Sequence, residues 1–226
     1  MDMKAASNKK TKRSPSKPAI DVKKGFTRFV IERGKKPNSV YKFCKSIGIQ
    51  EDDFYKQFGS LQALEKTIWK DYVSDTVVRL KADENYASFD AREKILSFYF
   101  TMLEVVKPDR EYITWRIRKW KLAAFHPGWL NKFKKAFDEW SNEVIEEGKR
   151  NGEIASRPFL DKRYGSLLWF HLNFILHFWS RDSSADFEKT DVAIEKSVNL
   201  AFDLIGKGLL DNAFDFGKFL FHQARD

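Results

Sequence analysis

The sequence predicts an all-α protein in which a small N-terminal helical domain precedes a larger C-terminal helical domain. Apolar residues recur at helical spacing along most of the chain, no segment alternates convincingly between apolar and polar residues, and glycine or proline punctuates the pattern. The 226 residues, 42% of them hydrophobic and 15% aromatic, are sufficient for an extensive buried core. We therefore expect a globular protein of one or two domains.

The charge of the chain is concentrated at its N-terminal end. Residues 1–60 contain 15 Lys/Arg and 6 Asp/Glu, a balance of +9, whereas residues 61–226 contain 26 of each. Such a basic segment favours binding to a phosphate backbone, because its cations replace condensed counterions. The alternative for charge alone is a solvated tail that aids solubility. Residues 1–20 are rich in Lys, Ser and Pro and lack an apolar period, so we expect a disordered basic arm.

Residues 21–74 have the pattern of a helix-turn-helix domain. A first helix is expected to stop at Gly34. A second helix is expected to begin at Asn38, a favourable N-cap, and to end at Gly48. A third helix over residues 50–58 follows after a very short turn. Two short helices joined by a glycine turn behind a packing helix are the helix-turn-helix arrangement.

A longer helix is expected over residues 61–80, because apolar residues recur there at helical spacing and a polar break follows. Gly and Pro separate the further helices, which are predicted over residues 91–106, 113–124, 129–151, 162–180 and 185–210. We interpret residues 75–212 as the C-terminal helical domain and residues 213–226 as a C-terminal extension.

Several classes of protein are disfavoured by what the sequence lacks. The single cysteine, Cys44, excludes an intramolecular disulfide and a cysteine-built metal site, although a reactive thiol stays open. Residues 165–179 carry no formal charge when their histidines are neutral, but they fall short of the ~20 apolar residues of a membrane span. No secretory leader and no catalytic motif stand out. We expect a cytoplasmic protein that is not an enzyme, uses no cofactor or metal and does not enter a membrane.

The segment from Phe29 to Trp69 resembles the N-terminal signature of the TetR-family transcription regulators. The matching elements are Phe29, Gly34, Asn38-Ser39-Val40, Gly48-Ile49, Phe54-Tyr55, Phe58, Gly59-Ser60 and Ala63-Leu64. The resemblance implies a homodimer that places the third helix of each subunit in successive major grooves of a roughly palindromic DNA operator. It also implies a divergent C-terminal domain that dimerises and often holds a small effector, with repression as the commoner mode of control.

The second and third helices carry the residues that this resemblance assigns to DNA contacts. The candidate DNA-binding residues are Asn38, Ser39, Tyr41, Lys42, Gln50, Glu51, Asp53, Tyr55 and Lys56. Tyr55 cannot join Phe54 and Phe58 on the inner face, so its hydroxyl is expected to be free to contact a phosphate, as in the family. An ordinary half-exposed surface tyrosine is the alternative.

Some residues that face DNA depart from the family pattern. Glu51, Asp52 and Asp53 oppose a phosphate backbone, and Tyr41 and Leu61 replace cations that the family usually has at these places. Acidic residues in a first helical turn stabilise the helix, and a carboxylate can accept a hydrogen bond from cytosine N4. Two functions therefore stay open. One is a DNA-binding regulator, and the other is a dimeric ligand-binding or adaptor protein whose helix-turn-helix head has lost DNA affinity.

The C-terminal helices contain aromatic residues that are candidates for lining an effector cavity. The candidate ligand-binding residues are Phe98, Trp115, Trp120, Phe170, His171 and Phe174. Ligand sites are mostly apolar with a few polar groups, so the expected effector is a small apolar or aromatic molecule. The alternative is that aromatic residues at helical spacing form plain core. The function that we predict is that of a ligand-responsive repressor.

Overall fold

A computed structural model describes residues 20–118, 120, 127–157 and 160–206, and every regular element in these residues is helical. This part of the chain contains nine α-helices: α1 (Val22–Arg33), α2 (Val40–Ile47), α3 (Glu51–Tyr55), α4 (Leu61–Lys81), α5 (Ala91–Val106), α6 (Arg110–Ile117), α7 (Asn131–Arg150), α8 (Asp161–Arg181) and α9 (Glu188–Ile205). Short 3-10 helices cover Tyr86–Ser88, Lys107–Asp109, Gly128–Leu130 and Ala185–Phe187. The predicted all-α class is confirmed. The expected basic arm, apart from Ile20, and the expected C-terminal extension lie outside the described residues.

Side-chain caps determine where the first two helices begin. The Asp21 carboxylate accepts hydrogen bonds from two N–H groups in the first turn of α1, at 3.0 and 3.2 Å. At α2 the expected N-cap is wrong by one residue, because Ser39 and not Asn38 caps the helix. The Ser39 hydroxyl accepts from the Lys42 N–H at 3.2 Å, since its short side chain on extended backbone reaches the first turn. Asn38 is left exposed before the helix.

The third helix is shorter than expected. It covers only Glu51–Tyr55, and the chain continues to Phe58 as a hydrogen-bonded turn in which the Phe58 N–H donates to the Phe54 carbonyl at 2.8 Å. Gly48 makes the turn before α3 with a φ of +74°, a left-handed conformation that glycine adopts without strain. This tight turn brings α3 against α2.

An aromatic cluster holds α1, α2 and α3 together. Phe43 of α2 makes edge contacts with Phe26 of α1 and Phe54 of α3, with ring centroids 5.8 and 6.0 Å apart. Phe58 packs on Phe54 at 5.8 Å. These rings are buried together with Cys44. Aromatic pairs in such geometries stabilise a small helical unit beyond the free energy of area burial alone.

The long helix α4 joins this N-terminal unit to the remaining helices. It begins after Ser60, whose hydroxyl accepts from the Ala63 N–H at 3.0 Å, and it packs along α5 and α7. Trp69 is fully buried on α4, with its ring centroid 4.7 Å from that of Trp129 and 5.5 Å from that of Phe133. Because α4 contributes to both groups of helices, a continuous helix rather than a flexible linker connects them.

Helix α6 begins three residues earlier than predicted, because the 3-10 turn Lys107–Asp109 leads directly into it. The Trp115 indole N–H of α6 donates to the Gly34 carbonyl, where α1 ends, at 3.0 Å. The helix was expected to reach residue 124, but residues 119 and 121–126 lie outside the described part of the chain. Through Trp115 and its neighbours, α6 packs against α1 as well as α8.

The connection between α8 and α9 differs from its prediction. Helix α9 begins three residues after the expected residue 185, and Phe187 before it has a positive φ of 64°. Asp182 holds this connection, since its buried carboxylate accepts from the N–H and the hydroxyl of Thr190 at 2.9 and 2.6 Å. Within the described ranges no helix, α8 included, is long and apolar enough to cross a lipid bilayer.

A buried ionic cluster joins the N-terminal helices to α6. Glu65 of α4 is only 1% exposed, and its carboxylate pairs with the Lys36 ammonium at 2.5 Å and the Arg116 guanidinium at 2.8 Å. The Tyr112 hydroxyl, also on α6, donates to the same carboxylate at 3.4 Å. These contacts hold the segment after α1, the first part of α4 and helix α6 in one arrangement.

Replacing Glu65 with alanine is expected to destabilise the fold strongly. The change leaves Arg116, whose side chain is 16% exposed, without its carboxylate, and removing one partner of a buried ion pair costs roughly 3–5 kcal/mol. Urea unfolding of the full chain measures the effect. Glu143→Ala is the control, because Glu143 pairs with Lys81 on the surface and such pairs contribute little. Equal free energies of unfolding for the two variants would contradict a structural role for this cluster.

Candidate nucleic-acid interface

The outer faces of α2 and α3 carry the candidate DNA-contacting side chains. Tyr41 and Tyr55 are 58% and 51% exposed, although large aromatic residues are usually well buried. Lys42, Gln50 and Lys56 are exposed as well. The inner faces of the same two helices hold the aromatic cluster, so packing of the core determines which side chains point outward.

The turn between α2 and α3 brings some of these residues to one cleft. The Ile49 N–H donates to the Cys44 carbonyl at 3.1 Å, which closes the turn. The cleft has a volume of about 440 Å³ and is lined by Tyr41, Cys44, Lys45, Ile49, Gln50, Glu51 and Asp52. The structure thus places Tyr41, Gln50 and Glu51 together and adds Lys45, which is exposed and is not among the candidate contacts.

The other candidates lie at the two ends of this surface. At one end, Asn38 is exposed next to Ser39, whose hydroxyl accepts the capping hydrogen bond and keeps its own O–H as a donor. At the other end, the Tyr55 ring packs edge-on against Phe54, with centroids 5.5 Å apart. This contact holds Tyr55 on the outer face of α3.

Acidic side chains offset the positive charge of α3. Its first turn contains three carboxylates. One of them, Asp53, pairs with the Lys56 ammonium at 2.9 Å, and this hydrogen bond raises the pKa of Lys56. Both side chains are exposed, so solvent screens the pair and little free energy opposes its opening. The cations on this surface that come from α2 are Lys42 and Lys45.

More than half of the N-terminal charge excess precedes these helices. Residues 20–60 contain nine Lys/Arg and five Asp/Glu, whereas residues 1–19 contain six Lys/Arg and one Asp/Glu. A balance of +5 therefore lies outside the described part of the chain and a balance of +4 lies within it. Both parts contribute to the positive charge that favours a phosphate backbone.

Three of the six candidate effector residues each lie in a different environment. Phe98 is fully buried and stacked on Trp140, with ring centroids 4.1 Å apart. Trp115 lies at the junction with α1, where its indole N–H is hydrogen-bonded. Trp120 lies against the His177 ring, with centroids 5.1 Å apart. Phe98 thus contributes to the core, and Trp115 contributes to the contact between α6 and the N-terminal helices.

The other three candidates lie on α8. Phe170 is 54% exposed, and Phe174 is half-buried with its ring 6.3 Å from that of His171. Both ring nitrogens of His171 are hydrogen-bonded, to Tyr99 at 3.0 Å and Ser197 at 2.7 Å. Burial lowers the pKa of His171 to about 4, so the ring is neutral at pH 7. Within the described ranges, no group of three or more His, Cys, Asp or Glu side chains is placed to hold a metal ion.

Sequence reasoning missed the ionic cluster at the junction. Glu65 follows Leu64 and precedes Ile68 by one helical turn, so it lies on the buried stripe of α4. A carboxylate on such a stripe signals a buried pair, because an unpaired charge in a core is costly. The pattern does not say that Lys36 and Arg116 are the partners.

Comparisons with known proteins were consistent with this architecture. Residues 94–220, more than half of the chain, match a family model described as the C-terminal domain of tetracyclin repressor-like proteins. One similar solved structure is that of the fatty acid degradation regulator FadR from Bacillus halodurans, with a TM-score of 0.59, 14% identity and coverage of 83% of this chain and 97% of that chain. A TetR family transcription regulator from Marinobacter aquaeolei has a TM-score of 0.51 and 17% identity over 81% and 93% of the two chains. The regulator PfmR from Thermus thermophilus has a TM-score of 0.52 and 13% identity over 83% and 95%. No curated protein matches the chain at a significant level.

Cys44 is a probe of how tightly α2 packs. Its thiol is 1% exposed, and burial together with the nearby Glu51 carboxylate raises its pKa. Because the thiolate is the reactive form, we expect a thiol-specific reagent near neutral pH to label the folded chain much more slowly than the urea-unfolded chain. Mass spectrometry measures the two rates, and any label reports this site because the chain has one cysteine. Similar rates in both states would contradict the packing described for α2.

Proposed function

The chain belongs to the tetracyclin repressor-like (TetR) family of transcription regulators, and on this basis we propose that it is a ligand-responsive repressor that binds a palindromic operator as a homodimer. Members of this family are transcription factors, which confirms the prediction that the chain is not an enzyme. The sign of control, the dimer, the response to a ligand and the division into domains at residues 21–74 and 75–212 are parts of the proposal.

The exposed surface of α2 and α3 is the observation that carries the proposal of DNA binding. Tyr41, Lys45 and Gln50 surround one cleft, and Tyr55 is held outward beside it. Hydroxyl, amide and ammonium groups are the donors that proteins use on phosphates and base edges. We assign Tyr55 and the lysines to phosphate contacts and Gln50 to base contacts. The charge excess of residues 1–60 adds an attraction that does not depend on base sequence.

Apolar strips on α8 and α9 support the homodimer. Phe170 and Phe178 on α8 are 54% and 36% exposed, and the half-buried Phe174 lies between them at helical spacing. Leu200 and Leu204, four residues apart on α9, are 61% and 38% exposed. Association of two copies about a twofold axis would bury these strips and remove their apolar surface from water. A twofold dimer presents two copies of helix α3 related by the same axis, which is why we propose a palindromic operator.

The junction at Glu65 supports a response to a ligand. Helix α6 contacts α1 on one side and α8 on the other, and its Arg116 is paired with Glu65. A ligand that moves α6 relative to α8 would therefore change the position of the N-terminal helices. If it binds one dimer geometry more tightly, it shifts the population toward that geometry and away from the one that fits DNA.

One observation favours the second candidate function, a dimeric ligand-binding or adaptor protein. The first turn of α3 is acidic, and the Asp53 carboxylate is paired with the Lys56 ammonium. The aromatic core of α1, α2 and α3 is separate from these charges, so the N-terminal unit can keep its fold without binding DNA. The two functions differ in whether duplex DNA binds and in how that binding depends on salt.

Binding of the full chain to duplex DNA is expected to weaken steeply as salt is raised. Each neutralised phosphate contributes a slope of about −0.9 to log K against log salt, so several contacts give a large decline. Fluorescence anisotropy of a labelled duplex measures this slope. Asp53→Asn releases Lys56 from its pair, so we expect this variant to bind more tightly and with a steeper slope.

Glu139→Gln on α7 is the matched control for Asp53→Asn. It changes the net charge by the same amount but acts on an exposed carboxylate that faces Lys135. Equal gains from the two variants would mean that α3 does not contact the DNA backbone. No binding at low salt, or binding that does not change with salt, would favour the adaptor function over the repressor.

The dimer is expected to depend on the exposed strip of α8. Phe170→Asp places a charge on this strip without disturbing the core, so we expect sedimentation of a monomer near 26.6 kDa where the unaltered chain sediments at about twice that mass. Tyr41→Asp is the control, because Tyr41 is similarly exposed but lies on α2. A dimer that survives Phe170→Asp, or a monomer in the unaltered chain, would contradict this assignment.

A further inference from the structure

A cavity between α6 and α8 is lined by cations and polar groups. Its volume is about 450 Å³, within the range of small-molecule sites, and its polar lining includes Arg110, Thr114, Arg118, His177, Ser180 and Arg181. The cavity does not involve the DNA-facing surface of α2 and α3. None of its lining residues is among the aromatic candidates for effector binding.

Three polar atoms at this cavity are buried and have no hydrogen-bond partner among the described residues. They are the Thr114 hydroxyl, His177 Nε2 and Arg110 Nε. The whole His177 side chain is nearly buried, at 8% exposure for the residue. Buried polar groups in folded proteins almost always have a partner, either in the protein or in an ordered water, so these three groups show that the walls of the cavity are polar.

Arg110 is held in position before any ligand binds. Its Nη2 donates to the Trp179 carbonyl at 3.2 Å and to the Asp182 carbonyl at 2.7 Å. Its guanidinium also lies 4.7 Å from the centre of the Phe187 ring. A guanidinium fixed in this way loses little conformational entropy when it binds an anion.

The cavity has a positive balance of charge. Arg110, Arg118 and Arg181 contribute three guanidinium groups. Asp182 borders the cavity too, but its carboxylate accepts hydrogen bonds from Ser184, which precedes α9, and from Thr190 in α9. Burial, and then the Arg181 guanidinium, lower the pKa of the remaining titratable group, His177, so that its ring is neutral at pH 7.

We propose that this cavity binds a small anion, a carboxylate or a phosphate ester, and that this anion is the effector of the repressor. Guanidinium groups bind the planar or tetrahedral oxygens of these anions through paired hydrogen bonds. Thr114 precedes Arg116, the partner of Glu65, by two residues on α6. The anion therefore draws α6 toward α8 next to the junction with the N-terminal helices. The effector role rests on the proposed repressor function, but the binding site does not.

Calorimetric titration of the full chain with pyrophosphate and, separately, with citrate tests the site. Both probes carry several anionic oxygens, and the comparison distinguishes a phosphate site from a carboxylate site. We expect saturable binding of at least one probe, one per subunit, at constant ionic strength. Arg118→Ala and Arg181→Ala are each expected to weaken it by about tenfold, since a charge-assisted hydrogen bond is lost.

Arg163→Ala is the matched control. Arg163 is exposed on α8 like Arg181 but lies five helical turns, about 27 Å, from it. We expect this variant to bind the probe as the unaltered chain does. Failure of both probes to bind would overturn the proposal. Binding that is equal in Arg181→Ala and Arg163→Ala would also overturn it, because the anion would then bind elsewhere, for example on the basic residues 1–19.

The same proteins are then tested for DNA binding with and without the probe. We expect the probe to lower the affinity of the unaltered chain for duplex DNA at fixed ionic strength and to have a smaller effect on Arg181→Ala. Anion binding that leaves DNA affinity unchanged would overturn the effector role. If the chain binds the anion with the expected variant pattern but never binds DNA, the anion site stands and the repressor function fails.

Discussion

The buried carboxylate of Glu65 is the constraint that relates the N-terminal helices to helix α6. It pairs with Lys36, in the segment after α1, and with Arg116 on α6, while its own helix α4 carries Trp69 in the C-terminal core. A buried charge is tolerated only when its partners are well placed, so the cluster permits few alternative arrangements of these helices. A displacement of α6 and a displacement of the N-terminal helices are consequently linked.

The N-terminal unit separates the residues that form its core from the residues that are proposed to contact DNA. Phe26, Phe43 and Phe54 form an aromatic core that needs no partner molecule, and the turn at Gly48 orients α3 on that core. On the outer face, exposed aromatic and amide side chains lie beside the three carboxylates of α3, one of which, that of Asp53, is paired with Lys56. DNA affinity in this chain is therefore a balance in which the basic residues of the first 60 positions must outweigh the acidic turn of α3.

Local signals predicted the helices whose ends are determined locally. Helices α4 and α5 begin after the side-chain caps Ser60 and Asp90, and their predicted bounds agree with the structure to within one residue. The start of α9 could not be predicted in this way, because it depends on hydrogen bonds from Thr190 to Asp182 across a connection with positive φ. The cavity between α6 and α8 was missed for a related reason, since its polar groups come from segments far apart in sequence.

Selection of bound fragments from a pool of randomised duplex DNA tests most directly whether this chain is a dimeric DNA reader. The account predicts enrichment of a palindrome whose two half-sites have centres about 10 base pairs apart, or a multiple of that distance, because each helix α3 must enter a major groove on the same side of the duplex. Enrichment of single half-sites would contradict the dimer. Recovery of a pool with no enriched sequence would contradict sequence-specific reading by α3.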